Sequence, residues 1–81
     1  MPPVAQARSP QHEALGQALR SAREERGLSQ EELGFRSRLH RNYVGGCERG
    51  EINLSFEILL RLAKGLDIRL SELIARYEAL L

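Results

Sequence analysis

Residues 29–50 read SQEELGFRSRLHRNYVGGCERG, and this stretch predicts two short helices joined by a tight turn. Ser29 is followed three residues later by Glu32, the spacing of a capping box in which each side chain satisfies the other residue's backbone N–H. The first of the two helices therefore begins at Gln30. His40, a weaker cap than Ser or Asp, precedes the second helix, and Arg49-Gly50 ends it. The first helix ends near Arg36 to Arg38, and the second covers about 41–48.

The apolar residues of this stretch predict how the two helices pack. Leu33 faces inward on the first helix, together with Gly34, where a missing side chain leaves room for another helix. Val44 and Cys47 form the inward pair of the second helix. Because both helices must reach one core, they cross steeply, which is the geometry of a helix-turn-helix.

Three further helices flank the pair. The first covers about residues 12–26 and has an inward stripe at Leu15, Ala18, Leu19 and Ala22. The fourth covers about 56–65 behind the cap Ser55, and its apolar residues surround so much of the helix that burial on two sides is expected. Ser71 caps a fifth helix that runs to the end of the sequence. We predict an all-α domain of five helices over residues 12–81, with residues 1–11 as a disordered N-terminal arm.

Charge and composition narrow the possible partners. The net charge of the 81 residues is only +1, which does not by itself indicate a nucleic-acid partner. Four arginines stand between Arg36 and Arg49, however, against the single acid Glu48. A solvated basic face and a nucleic-acid contact both account for this run, so its position in the fold must decide.

Several classes of function are disfavoured. The one cysteine, Cys47, excludes an internal disulfide, and no Cys/His cluster has the spacing of a metal site. His12 and His40 are too isolated for a catalytic relay, and no phosphate-binding glycine loop follows a strand. No apolar run approaches the roughly 20 residues of a membrane span. We therefore expect a cytoplasmic protein that is not an enzyme, has no cofactor or metal, and has no evident small-molecule ligand.

The second helix of the pair carries the residues that could read bases. Arg41, Asn42 and Gly45 fall on the side opposite Val44 and Cys47. An arginine can donate two parallel hydrogen bonds to O6 and N7 of guanine, and an asparagine can accept one from the N6 amino group and donate one to N7 of adenine. In a helix-turn-helix these first residues of the second helix enter the major groove.

A resemblance extends this interpretation over residues 15–74. The segments LSQEEL, LHRNYVGGCERG, NLSFEILLRLAKGL and LSEL resemble the Cro and phage-repressor type of helix-turn-helix, the XRE family. They are most similar to its small single-domain members, including the controller proteins of restriction-modification systems. The resemblance implies a lambda-repressor-like fold and a transcriptional regulator that binds double-stranded DNA.

The resemblance also implies roles for individual residues. Arg41, Asn42 and Gly46 match base-reading positions, although Gly46 lacks the side chain that the family often has there. Positions that match phosphate contacts, with Arg38 added from the arginine run, are Ser29, Gln30, Arg38, Tyr43, Arg49 and Asn53. Arg23 and Glu48 match a buried ion pair. Asp67 stands where the family commonly ends the fourth helix with glycine.

The apolar surface of the last two helices predicts a homodimer. It exceeds what a small core can absorb, and a self-complementary patch forms a two-fold interface. We assign Ile58, Leu62, Ile74, Tyr77 and Leu81 to this interface. Two copies of the reading helix would then stand one DNA turn apart on a palindromic operator. The alternative is an antitoxin-like or protein-interaction module acting through the same helices, which the helix-weakening pair Gly45-Gly46 keeps open.

Overall fold

The computed structural model describes residues 8–81, which contain five helices and no strand. The helices are α1 (Pro10–Glu25), α2 (Gln30–Ser37), α3 (Arg41–Glu48), α4 (Phe56–Leu66) and α5 (Leu70–Ala79). The predicted all-α fold of five helices is confirmed. The predicted starts of α2, α3 and α4 are also correct.

The start of α1 differs from the prediction. Ser9 is the N-cap and accepts a hydrogen bond from the backbone N–H of His12 at 3.2 Å. Pro10 occupies the first helical position, where its missing N–H costs nothing and its fixed φ fits the helix. The residues from Ser9 to Gln11 therefore belong to the start of α1 and not to an arm. Of the rest of the predicted arm, Arg8 is described and exposed, and residues 1–7 lie outside the described residues.

One hydrophobic core joins all five helices. Its most buried members are at most 1% exposed: Ala18, Leu19, Ala22, Leu33, Val44, Cys47, Leu62, Leu66 and Leu73. The inward residues predicted for α1, α2 and α3 are thus in the core, except that Leu15 is only half-buried. This packing fixes the orientation of α3 relative to the other helices.

Two glycines allow close backbone approaches that position α3. A Cβ on Gly16 would lie 2.6 Å from the carbonyl oxygen of Cys47, so the C-terminal end of α3 rests directly on α1. A Cβ on Gly34 would lie 2.5 Å from the carbonyl oxygen of Leu39. The space at Gly34 therefore serves the turn between α2 and α3, and not a neighbouring helix as predicted.

The expectation that α4 is buried on two sides is correct only in part, because Ala63, on the face that includes Phe56 and Leu60, is 4% exposed. Leu62 and Leu66 are fully buried, whereas Phe56 is 67% exposed and Leu60 is 45% exposed. Since Leu62 packs wholly inside the core, it cannot belong to an interface between copies of the chain. The periodicity located the apolar faces of α4 but could not tell which of them the core covers.

The start of α5 also corrects the prediction. Its N-cap is Arg69, which makes no side-chain capping bond, and Ser71 lies inside the first turn. On the buried side, Leu73 is 0% exposed and anchors α5 to the core. At the other end of the α4–α5 connection, Asp67 closes α4 in the left-handed conformation at φ 57°. Asp67 thus occupies the position at which glycine was expected.

Candidate nucleic-acid interface

Helix α3 is anchored through its inward pair and exposed at its first two residues. Val44 and Cys47 are each 1% exposed, whereas Arg41 and Asn42 at the start of the helix are exposed. His40 caps this end, because its Nδ1 accepts a hydrogen bond from the backbone N–H of Asn42 at 3.0 Å. The cap orders the turn that presents both side chains to solvent.

The guanidinium of Arg41 is held only weakly. Its Nη1 lies 3.8 Å from Oε2 of Glu31, and the two side chains are 62% and 76% exposed. Exposed pairs of this kind contribute at most about 1 kcal/mol, so a ligand can displace Glu31 at little cost. Arg41 is therefore available for a bidentate contact.

The two glycines of α3 serve packing. A Cβ on Gly46 would lie 2.8 Å from Cδ1 of Ile52, and Gly46 itself is buried. The predicted role of Gly46 in base reading is therefore wrong, because the loop after α3 folds back over it. A Cβ on Gly45 would lie 3.1 Å from Nη1 of Arg49 and 3.3 Å from Oε1 of Gln30. Gly45 thus lets these two side chains approach α3.

The start of α2 uses its polar side chains internally. Ser29 and Glu32 form the predicted capping box, with bonds of 2.9 Å and 2.8 Å to each other's backbone N–H. Hydrogen bonds from Ser29 hold the pKa of Glu32 below its usual value. Nε2 of Gln30 donates to Oε1 of Glu48 at 3.0 Å. A phosphate bound here would therefore be contacted mainly by the backbone N–H groups at the start of α2.

The other predicted phosphate-binding residues surround the exposed side of α3. Arg38 is exposed just before it, and Arg49 is exposed just after it, where two hydrogen bonds join it to Glu51 at 2.9 Å and 3.2 Å. Those bonds lower the pKa of Glu51, and Arg8 pairs with the same carboxylate. Tyr43 is half-buried against the core, and burial raises its pKa.

Asn53, the last of these residues, lies in the loop after α3. It is exposed, and its Oδ1 is 3.3 Å from Nε2 of His12 on α1. Nδ1 of the same imidazole lies 2.6 Å from Oγ of Ser9. The sequence interpretation missed this link, because a contact between residues 41 positions apart leaves no local signal.

Arg23 and Glu48, predicted as a pair, meet beneath α3. Nε of Arg23 is 2.6 Å from Oε2 of Glu48, and the side chains are 11% and 3% exposed. Because the pair neutralises the one acidic residue of α3, the exposed side of that helix presents only cationic and neutral groups. The sequence also missed Gln30 as a third member of this cluster.

The described residues contain no group of three or more His, Cys, Asp or Glu side chains placed to hold a metal ion. None of the helices in residues 8–81 is long and apolar enough to cross a membrane.

Two crossed short helices, with the second anchored inward and its polar leading end exposed, define a DNA-binding helix-turn-helix protein. Comparison with known proteins agrees: residues 19–73 match the family model described as Helix-turn-helix, HTH_3. The chain belongs to this family of XRE-type regulators, whose members are not enzymes.

Its relatives include restriction-modification regulators. The chain is 42% identical over 64 residues to the control protein C.SmaI from Serratia marcescens, covering 79% of this chain and 76% of that protein. It is 35% identical over 61 residues to the control protein C.BamHI from Bacillus amyloliquefaciens, covering 74% and 75%. Among solved structures, the controller protein C.AhdI from Aeromonas hydrophila is 52% identical with a TM-score of 0.74, covering 75% of this chain and 92% of that one.

Proposed function

We propose that the chain is a sequence-specific transcriptional regulator that binds a palindromic operator as a homodimer, in the manner of a restriction-modification controller. Each copy inserts the start of α3 into the major groove, where Arg41 bonds a guanine and Asn42 an adenine. The site of action is the cytoplasm, where such an operator lies. Similarity to control proteins over about three quarters of the chain supports the regulatory role.

One observation carries the proposal: Arg41 and Asn42 are exposed at the leading end of a helix whose opposite face is 1% exposed. An anchored helix holds its free side chains in a fixed register, as direct reading of bases requires. Arg38 lies exposed before this end, Arg49 and Asn53 lie exposed after the other end of α3, and all three supply phosphate contacts, which orient the protein on the duplex.

The dimer rests on the apolar surface of α5. Ile74 and Tyr77, three residues apart on α5, are half-buried, and Leu81, two residues beyond the end of the helix, is 68% exposed. We call these three residues the α5 stripe. We therefore propose an interface made of these three residues and the half-buried Ile58 of α4, and Leu62 is left out of it. A two-fold axis through this stripe would place the two copies of α3 on successive turns of DNA, about 34 Å apart.

The proposal is tested with duplexes selected from a random library. Wild-type binding should weaken linearly with log salt and still favour the selected duplex over random DNA. Arg41→Ala should cost about 1–3 kcal/mol on the selected duplex and little on random DNA. Arg20→Ala is a matched control, because Arg20 is 64% exposed and pairs with Glu24 on α1. Equal losses on both duplexes would remove Arg41 from base reading.

A further inference from the structure

A second basic surface lies beside the helix-turn-helix. Arg36 and Arg38, at the end of α2, line an open groove together with Arg61 and Lys64 of α4. Ser37 lies between the two arginines, and no acidic residue lines the groove. We call these four cationic residues the α2–α4 basic groove.

Most cations of this chain have a carboxylate partner, but the groove is an exception. The sequence contains 12 Lys and Arg residues, all within the described residues. Eight of them lie within 4.0 Å of an Asp or Glu oxygen. The four without such a partner are Arg36, Arg38, Lys64 and Arg69. Three of these four line the groove, so most of its positive charge has no carboxylate partner.

The ends of the neighbouring helices offset only part of this charge. A helix C-terminus is equivalent to about half a negative charge, which favours Arg36 at the end of α2 and Lys64 near the end of α4. Arg61 is compensated by Glu57, at 3.0 Å. Three full charges nevertheless share one groove without a carboxylate, and such an arrangement favours a multiply bonded oxyanion.

We propose that the α2–α4 basic groove binds a backbone phosphate of the DNA that flanks the bases read by α3. This inference rests on the proposed function. Arg38 connects the groove to the reading end of α3, because the turn that follows Arg38 leads through the cap His40 to Arg41. A phosphate held here extends the contacted DNA beyond the half-site and carries no base preference.

Arg36→Gln and Lys64→Gln, alone and combined, test the proposal, because both side chains are on exposed residues and neither belongs to the core. Binding is measured against salt on two selected duplexes, one trimmed to the half-sites and one with extra base pairs on each side. On the long duplex, the slope of log affinity against log salt should fall by about 1 for the double variant. On the trimmed duplex, the slope for the double variant should equal that for the wild type. Arg20→Gln is the control and should leave both slopes unchanged.

Three results would overturn the inference. An unchanged slope on the long duplex removes the phosphate contact. An equal fall on both duplexes places the contact inside the half-site. Binding of inorganic tripolyphosphate that the double variant loses, with DNA slopes unchanged, assigns the groove to a free phosphate compound. All three are distinct from failure of the proposed function, in which the wild type itself does not prefer the selected duplex.

Discussion

Arg23 on α1 and Glu48 at the end of α3 are joined by two hydrogen bonds, Nε to Oε2 at 2.6 Å and Nη2 to Oε1 at 3.0 Å. Arg23 also donates to the carbonyl of Leu28 at 2.8 Å, and Gln30 donates to the same carboxylate at 3.0 Å. The hydrogen bond with Glu48 raises the pKa of Arg23. This cluster connects α1, the start of α2 and the end of α3, and so fixes the reading helix on the domain.

We expect Glu48→Gln to lower the free energy of unfolding by about 3–5 kcal/mol, because it leaves the guanidinium of Arg23 largely buried without a counter-charge. Urea denaturation measures the change. Glu24→Gln is the control: Glu24 is 56% exposed beside Arg20, and exposed pairs contribute about 1 kcal/mol or less. If Glu48→Gln proves too unstable, the double variant Arg23→Met/Glu48→Met should regain stability, since no charge is then left unpaired. Equal effects of Glu48→Gln and Glu24→Gln would contradict the role of the pair.

A second prediction concerns the crossing of α2 and α4 at Ser37 and Gly65. Oγ of Ser37 is buried without a hydrogen-bond partner, and a Cβ on Gly65 would collide with it. Ser37→Ala should raise the free energy of unfolding by about 1 kcal/mol, because a buried unsatisfied hydroxyl is removed. Gly65→Ala should be destabilising alone and tolerated in the Ser37→Ala background, where alanine also favours the helix.

Urea denaturation of the two single variants and the double variant forms a complete cycle. A coupling energy near zero would mean that the hydroxyl does not limit the space at Gly65, and would refute this prediction.

Sequence patterns succeeded here where the determining contacts are local. Ser29, His40 and Ser55 mark helix starts because each side chain caps the following turn. The start of α5 was missed because Arg69 makes no side-chain cap, so the nearest good capping residue, Ser71, was chosen instead.

Contacts between segments that are distant in the sequence could not be predicted from local patterns. The family resemblance implies base reading by Gly46, and no residue next to it in the sequence indicates that Ile52 packs over it. Leu62 was assigned to a dimer interface because periodicity separates apolar from polar faces but does not distinguish the core from an interface. Exposed Arg41 and Asn42, by contrast, followed directly from the inward pair of α3.

A third prediction uses Cys47 as a probe of unfolding. Burial raises the pKa of its thiol from 9.0 to about 12. At pH 8 the native chain should therefore react with iodoacetamide only through transient opening, far more slowly than in urea, because the thiolate is the nucleophile. Mass spectrometry follows the labelling, and Glu48→Gln should accelerate it. Labelling of the native chain as fast as that of the unfolded chain would show that Cys47 is accessible.

The raised pKa of Cys47 also determines how the free energy of unfolding depends on pH. Above the ordinary pKa of the thiol, the unfolded chain loses the proton while the folded chain keeps it, so the free energy of unfolding falls. The loss should run from pH 9 to about 12. Cys47→Ala should remove this part of the pH dependence and leave the rest, as denaturation at several alkaline pH values would reveal.

The last prediction concerns the proposed dimer and its consequence for DNA. Leu81 is 68% exposed, so Leu81→Asp places a charge in the α5 stripe without disturbing the core, and sedimentation should shift from dimer to monomer. Tyr77→Asp should do the same, although Tyr77 also packs against the core. Phe35→Asp is the matched control, because Phe35 is 87% exposed on α2, outside the stripe, and its mass should stay that of the wild type.

The two-fold symmetry of the proposed dimer also predicts how the monomeric variant binds DNA. A monomer loses the gain from linking two reading helices, so Leu81→Asp should bind a duplex with both half-sites much more weakly than the wild type. On a duplex with one half-site the two proteins should bind alike, since Arg41 and Asn42 are unchanged. If Leu81→Asp and Tyr77→Asp both sediment as the wild type does, the interface lies elsewhere. If they are monomers that bind both duplexes as the wild type does, the dimer exists but the operator does not require it.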